Sequence, residues 1–125
     1  MRRGVGPQIE VFPTDLRRCV DFYVRVLRFD VVEDKRGDST PYVSFRRGSA
    51  RIGASPSWGP TDASARAVPQ GAELVLEVDD LVAERDHIVA SGWSLASDLC
   101  ARPWGLEDFR LYDPDGYYIR ITTRR

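Results

Sequence analysis

The sequence contains few of the residues that build metal and redox sites. Its 125 residues include one histidine, His87, and two cysteines, Cys19 and Cys100, which lack the close spacing of metal-binding pairs. His87 falls on a predicted helix, where we expect a surface residue, because a catalytic base there would lack a positioned partner. Cys19 falls on the apolar side of another predicted helix, so we expect a buried structural thiol.

Neither sign of charge is in excess, and no long apolar run is present. The chain has 18 Lys and Arg against 19 Asp and Glu, a net charge of −1, whereas dedicated nucleic-acid binders usually carry an excess of basic residues. No run approaches the ~20 apolar residues that span a membrane, and the basic start "MRRGVGP" lacks the apolar segment of a signal peptide. We therefore expect a cytoplasmic protein with neither nucleic acid nor membrane as a partner.

The first half of the chain shows a strand, a helix and then three strands. "QIEVFP" reads as a strand, and Thr14-Asp15 supplies an N-cap for the helix that follows. The helix is indicated by apolar residues at spacings of three and four, namely Leu16, Cys19, Val20, Phe22, Tyr23, Val26 and Leu27. Three further strands are predicted in "FDVVED", "PYVSFRRG" and "ARIGAS".

The same order of elements returns after residue 70. "AELVLEV" reads as a strand, Asp79-Asp80 caps a helix in "LVAERDHIVAS", and Gly92 ends it. Three more strands are predicted in "WSLASD", "EDFRLY" and "YYIRITT". We therefore predict an α+β fold in which two βαβββ modules, about residues 7–54 and 71–123, form curved mixed sheets around a cleft, with the helices outside.

The two modules are predicted to form one domain over residues 1–125, joined by a linker at 55–70. The linker sequence, "SPSWGPTDASARAVPQ", is rich in Pro, Ser, Ala and Gly. Trp58 stands inside it, which is unusual for a spacer. This tryptophan either folds back to fill a hole or lines a ligand pocket.

The last predicted hairpin, "LYDPDGYYIRI", places a charge on a strand. Asp113-Pro114-Asp115-Gly116 has the residues of a tight turn, since proline presets φ and glycine accepts a positive φ. After the turn, Tyr117, Ile119 and Ile121 alternate with Tyr118, Arg120 and Thr122. Alternation puts the two sets on opposite faces of the strand. The apolar set predicts a core face, and Arg120 then points away from the core.

Two segments carry a family resemblance. "TDLRRCVDFYVRVLRF" is similar to "sDlersvaFYrdvLGF", and "PWGLEDFRLYDPDG" is similar to "pWGxrefrvxDPDGN". Both patterns belong to the vicinal oxygen chelate superfamily of glyoxalase I, extradiol dioxygenases, fosfomycin-resistance enzymes and bleomycin-resistance proteins. The resemblance covers nearly the whole chain, but Arg28 replaces the family's usual glycine. In the left-handed conformation expected there, Arg28 would cost on the order of 1 kcal/mol.

The resemblance implies a divalent metal held by four side chains on the first and last strand of each half. The matching positions here are Gln8, Gly53, Glu73 and Arg120. Gly53 has no side chain, and a guanidinium keeps its protons and offers no lone pair. We therefore expect no metal or other cofactor. If the assumed strand register were wrong by one residue, Glu10 or Glu77 could enter the metal site, but the four-ligand set would still be incomplete.

The metal-free branch of the family, the bleomycin-resistance proteins, resembles this chain in the segment "RPWGLEDF". The resemblance implies a homodimer that sequesters a ligand in clefts between subunits, with Trp104 at the position that stacks on the ligand. A pocket of this kind needs apolar walls and a few convergent polar groups. The candidate ligand-binding residues are Trp104, Trp58, Phe45, Tyr118, Arg51, Arg120 and Glu73.

Arg51 and Arg120 are predicted to face the cleft, which suggests an anionic or aromatic small molecule, an antibiotic among the candidates. Alternatively, Arg120 forms an ion pair with Glu73, or Trp104 fills the core. No nucleophile–base pair is found, so no catalytic residue is predicted, although Glu73 oriented by Arg120 remains a candidate base. The competing functions are a metal-dependent glyoxalase- or dioxygenase-like enzyme and an interaction module whose cleft is filled by its own side chains.

Overall fold

The first half of the chain forms a four-stranded mixed sheet in the computed structural model, which describes residues 6–56 and 71–123. Its strands are β1 (Ile9–Val11), β2 (Asp30–Asp34), β3 (Val43–Arg47) and β4 (Ala50–Ala54), in the spatial order β1-β4-β3-β2. β1 and β4 are parallel, and the other neighbours are antiparallel. The element order predicted for this half is confirmed.

The second half repeats the arrangement. Its strands are β5 (Leu74–Val78), β6 (Ser97–Ala101), β7 (Glu107–Tyr112) and β8 (Tyr118–Thr123), in the order β5-β8-β7-β6. β5 and β8 are parallel. The two mixed sheets confirm the α+β prediction, but β6 covers Ser97–Ala101 and so begins only near the end of the predicted strand "WSLASD". Most of the predicted linker, Trp58 included, lies outside the described residues.

Each half contributes one capped helical segment. α1 (Leu16–Asp21) begins where the Asp15 carboxylate accepts a hydrogen bond from the Arg18 amide, and it continues as a π-helical turn over Phe22–Val26. α2 (Leu81–Ala90) begins at the matching cap, Asp80. The wider turn after α1 was not predicted, because apolar spacings of three and four do not distinguish it from a regular helix.

The chain leaves the π-helical turn through Arg28, which has a φ of 59°. This is the left-handed conformation that usually takes glycine, so the strained position predicted for Arg28 is confirmed. Its guanidinium donates to Glu84 on α2, with 2.7 Å between Nη2 and Oε1. Arg47 of β3 donates to both oxygens of the same carboxylate, at 2.9 and 2.6 Å. Glu84 is 2% exposed and thus ties two elements of the first half to the second.

Within residues 6–56 and 71–123, one hydrophobic core occupies the inner face of both sheets and the helical segments. The apolar residues predicted for the first helix are buried there, except Leu16, which is partly buried. Its largest fully buried apolar side chains are Tyr23, Phe22, Phe29, Phe45, Phe109, Leu27, Ile52, Ile88, Leu111, Ile119 and Ile121. Burial of this apolar surface is the main source of stability for the fold.

The predicted Asp-Pro-Asp-Gly turn connects β7 to β8. Gly116 has a φ of 95°, and the Asp113 carboxylate accepts hydrogen bonds from the amides of Asp115 and Tyr117, both at 2.9 Å. Its other oxygen accepts from the Tyr23 hydroxyl at 2.9 Å. Burial raises the pKa of Asp113. The turn is therefore fixed to the helical segment of the first half.

The face of each sheet that points away from the core is called here its open face. On the first sheet, strand pairing places Glu10, Gly53 and Ser44 side by side, and alternation adds Gln8 and Arg51. The first open face is therefore formed by Gln8, Glu10, Ser44, Arg46, Arg51 and Gly53. By the same reasoning the second open face is formed by Glu73, Val75, Glu77, Asp108, Arg110, Tyr112, Tyr118, Arg120 and Thr122.

Candidate functional site

The first open face contains a hydrogen-bonded cluster at two of the four positions, Gln8 and Gly53, where the resemblance implies metal ligands. Gln8 donates from Nε2 to the Glu10 carboxylate at 2.7 Å and to the Tyr42 hydroxyl at 3.1 Å, and that hydroxyl donates to Glu10 at 3.1 Å. Gly53 lies beneath them, and a Cβ at Gly53 would collide with Tyr42 and Glu10. The glycine is therefore required for this close approach. Partial burial and the Glu10 carboxylate raise the pKa of Tyr42.

The second open face contains an ion pair at the other two family positions. The Arg120 Nε donates to Glu73 Oε1 at 2.7 Å. The side chains are 20% and 29% exposed, respectively. Of the two alternatives for Arg120, the structure shows the ion pair. The Arg120 guanidinium thus forms an ion pair with the Glu73 carboxylate, which the resemblance implies would otherwise be a metal ligand.

The four family positions do not fit a metal. Glu73 is bonded to a fixed cation, Gly53 offers no donor atom, and Gln8, whose Nε2 is hydrogen-bonded in the cluster on the other sheet, offers only its Oε1. Divalent ions require several oxygen, nitrogen or sulfur ligands converging on one point. No group of three or more His, Cys, Asp or Glu side chains suitable for a metal occurs in the ranges 6–56 and 71–123.

Two further arginines lie on or next to the second open face, and they were not among the predicted site residues. Arg102 donates from Nε and Nη2 to Asp108 Oδ1 at 3.0 and 2.8 Å. Arg110 lies directly across from Arg120 in the β7–β8 pairing. Burial opposes ionisation of Asp108, but hydrogen bonds from Arg102 and Arg110 outweigh it and the pKa is lowered. The sequence "EDFRLY" contained a signal for Arg110: apolar Phe109 and Leu111 flank it and face the core, so Arg110 points to the opposite face of the strand.

Aromatic side chains surround these charges. Tyr112 and Tyr118 are paired across β7 and β8, with ring centroids 5.1 Å apart. The Arg110 guanidinium lies 5.7 Å from the Tyr118 ring centroid, and its Nη1 donates to the Tyr118 hydroxyl at 3.2 Å. Trp104 lies in the β6–β7 turn and is 56% exposed, so it does not fill the core.

The remaining predicted residues are distributed differently. Phe45 is not on an open face: it is 1% exposed and stacks on Tyr23 in the core, at 5.7 Å between centroids. Phe45 was predicted as a ligand-binding residue, but its pairing with Ile52 turns the side chain towards the core and away from the open face. Arg51 is on the first open face, with a hydrogen bond of 3.3 Å to the Gly6 carbonyl. Trp58 is outside the described residues.

Two crevices of about 440 and 430 Å³ lie outside the two polar clusters, although Tyr112 of the second open face lines the second crevice. The first borders the start of α2 and Gly105, and the second borders Trp93 and Pro114. Neither includes a predicted ligand-binding residue. Among the described residues, no helix combines the length and apolar character needed to cross a membrane.

Comparison with known families identifies the fold. The model of the glyoxalase/bleomycin resistance protein/dioxygenase superfamily matches residues 7–121. The chain belongs to this superfamily. The superfamily assignment agrees with the resemblance in the sequence and with the duplicated βαβββ unit. No curated protein matches the chain in sequence.

Solved structures support the superfamily fold. TioX from Micromonospora sp. ML1 has a TM-score of 0.80 at 22% identity, covering 98% of this chain and 100% of that one. A glyoxalase/bleomycin resistance protein from Streptomyces sp. CB03234 has a TM-score of 0.72 at 23% identity, covering 95% and 100%. A superfamily member from Sphaerobacter thermophilus DSM 20745 has a TM-score of 0.73 at 20% identity, covering 98% of both chains. At these identities the likeness concerns the fold alone.

Proposed function

We propose that this chain is a metal-free binding protein that sequesters an aromatic or anionic small molecule, such as an antibiotic, without transforming it. The observation that carries the proposal is the 2.7 Å ion pair between Arg120 and Glu73. In the family resemblance both positions hold metal ligands, and here they neutralise each other. A fixed positive charge about 4 Å from a divalent ion would oppose it by several kcal/mol even at an effective dielectric near 20.

The aromatic groups of the second sheet support a flat ligand. Trp104 and Tyr112 are 56% and 51% exposed, and Tyr118 adjoins Tyr112 on the open face. Exposed tyrosine and tryptophan provide large rigid contact surfaces that suit the faces of planar rings. These residues are therefore candidates for the apolar part of the site.

A homodimer would supply the enclosure that a ligand needs. The outer strands of both sheets expose apolar side chains, including Ile9 on β1, Val31 and Val32 on β2, and Val75 on β5. Unpaired strand edges tend to associate, and a two-fold symmetric dimer is the commonest solution. We propose that the cleft forms between the open faces of two subunits. Light scattering coupled to size exclusion should then give twice the chain mass.

The proposal is tested with the purified protein, a metal analysis and a panel of aromatic compounds that includes bleomycin-type drugs. A ligand at 100-fold over its Kd should stabilise the fold by about 2.7 kcal/mol and change tryptophan fluorescence, with or without chelator. W104A should weaken binding while leaving the fold intact, because the side chain is largely exposed. About one tightly bound metal per chain, with binding abolished by chelator, would instead establish the metal-dependent enzyme.

A further inference from the structure

The charges around the second open face do not balance evenly. Three guanidiniums, those of Arg102, Arg110 and Arg120, share two carboxylates, those of Asp108 and Glu73. Asp108 is fully buried, so its charge depends on the arginines around it. One arginine is therefore left with less compensation than the others.

The geometry identifies that arginine as Arg110. Arg102 holds Asp108 Oδ1 at 2.8 and 3.0 Å, and Arg120 holds Glu73 at 2.7 Å. Arg110 reaches the remaining oxygens of Asp108 and Glu73 only at 3.5 and 3.9 Å. Charge-assisted hydrogen bonds of this type are usually about 2.7–2.9 Å long. Both carboxylates are thus committed to the neighbouring arginines.

The other contacts of Arg110 leave its donors underused. Its one shorter hydrogen bond goes to a neutral acceptor, the Tyr118 hydroxyl at 3.2 Å. Its Nε is buried and has no hydrogen-bond partner among the described residues, although buried N–H groups are nearly always paired. Glu77 does not supply the missing carboxylate, because it lies beside Thr122 on β8 rather than beside Arg110.

We propose that Arg110 is the residue that anchors the anionic group of the ligand, a planar carboxylate, next to the Tyr118 ring. The inference rests on the proposed binding function and makes it specific. The side chain is 21% exposed, so a ligand oxygen can reach the outer edge of the guanidinium from the open face. A planar carboxylate matches two parallel N–H groups of arginine. The Arg102–Asp108 pair acts beneath it as a positioning group.

The test compares two probes of equal shape, 1-naphthoate and 1-naphthamide, by isothermal titration calorimetry. The wild type should bind naphthoate at least tenfold more tightly than naphthamide. R110M should bring the two affinities to about the same value, and R110K should lose most of the preference because lysine lacks the planar pair of donors. E73Q should increase the preference, since it removes a competing carboxylate.

Two controls separate anchoring from folding. R36M removes an exposed arginine that pairs with Asp34 at 2.5 Å in the β2–β3 turn, and it should keep the wild-type preference. Naphthamide binding by R110M at wild-type strength shows that the variant is folded. Equal binding of both probes by the wild type would overturn the role of Arg110 while leaving the binding function standing. Binding of neither probe would count against the proposed function itself.

Discussion

The buried carboxylate of Glu84 should be one of the most important charges for stability. E84Q keeps the shape of the side chain but removes the charge that holds Arg28 and Arg47. Breaking a buried ion pair from one side usually costs about 3–5 kcal/mol. The two arginines are 44% and 32% exposed, so water partly replaces the lost contact. We therefore expect E84Q to lower the free energy of unfolding by about 2–3 kcal/mol.

The same residue predicts a pH dependence. Burial pushes the pKa of Glu84 upwards, but the hydrogen bonds and charges of Arg47 and Arg28 outweigh burial and lower it overall. A lowered pKa in the folded state means that the contribution is fully present above the unfolded value, about 4.3. It is lost as the pH falls through the folded value. The difference between wild type and E84Q should therefore shrink in acid.

The assay is urea denaturation followed by tryptophan fluorescence at pH 7 and at pH 3. D98N is the matched control, because Asp98 forms two hydrogen bonds of 2.7 and 2.9 Å with Arg85 but its side chain is 55% exposed. D98N should have a much smaller effect, since exposed ion pairs are screened by solvent. Equal effects of E84Q and D98N, or a pH-independent effect of E84Q, would refute the reasoning.

Three smaller predictions concern single residues. R28A and R28G both lose the ion pair with Glu84. R28G should nevertheless be more stable than R28A by about 1 kcal/mol, because only glycine is unstrained at a φ of 59°. Equal stabilities of the two variants in urea denaturation would contradict this. G53A should displace Tyr42 and return its raised pKa towards the ordinary value, as measured by ultraviolet titration with Y42F as reference. In native protein, a thiol reagent should modify Cys100 but not Cys19, because burial raises the pKa of Cys19; two rapidly reacting thiols would contradict this.

Several features of the fold were predicted from local patterns. The caps at Asp15 and Asp80 and the turn at Gly116 appear where the sequence places them, because each depends on a few neighbouring residues. The orientation of Phe45 was also present in the sequence, since its apolar alternation with Ser44 and Arg46 indicates a core face. The prediction of Phe45 as a ligand-binding residue disagrees with that alternation.

The candidate site was only partly predictable. The ion pair between Glu73 and Arg120 stood as one of two alternatives for Arg120, and the structure decides between them. The cluster over Gly53 was not foreseen, because Tyr42, immediately before β3, contacts Glu10 of β1 and Gln8 immediately before β1, which are 32 and 34 positions away. Arg110 was not predicted as a site residue. Its weak pairing with carboxylates depends on the positions of Asp108 and Glu73, which only the folded chain defines.

By itself, the sequence determined the duplicated βαβββ order and the superfamily resemblance, which implies that Arg120 lies where relatives hold a metal ligand. Periodicity, caps and turns are local, so they can be read from short segments. Only the tertiary structure decided that Arg102 and Arg120 form short ion pairs with carboxylates while Arg110 does not. That outcome depends on register and distance between strands far apart in the chain, such as those of Glu73 and Arg120, 47 residues apart. At Glu73 the short ion pair to Arg120 spans 2.7 Å, whereas the weaker one to Arg110 spans 3.9 Å.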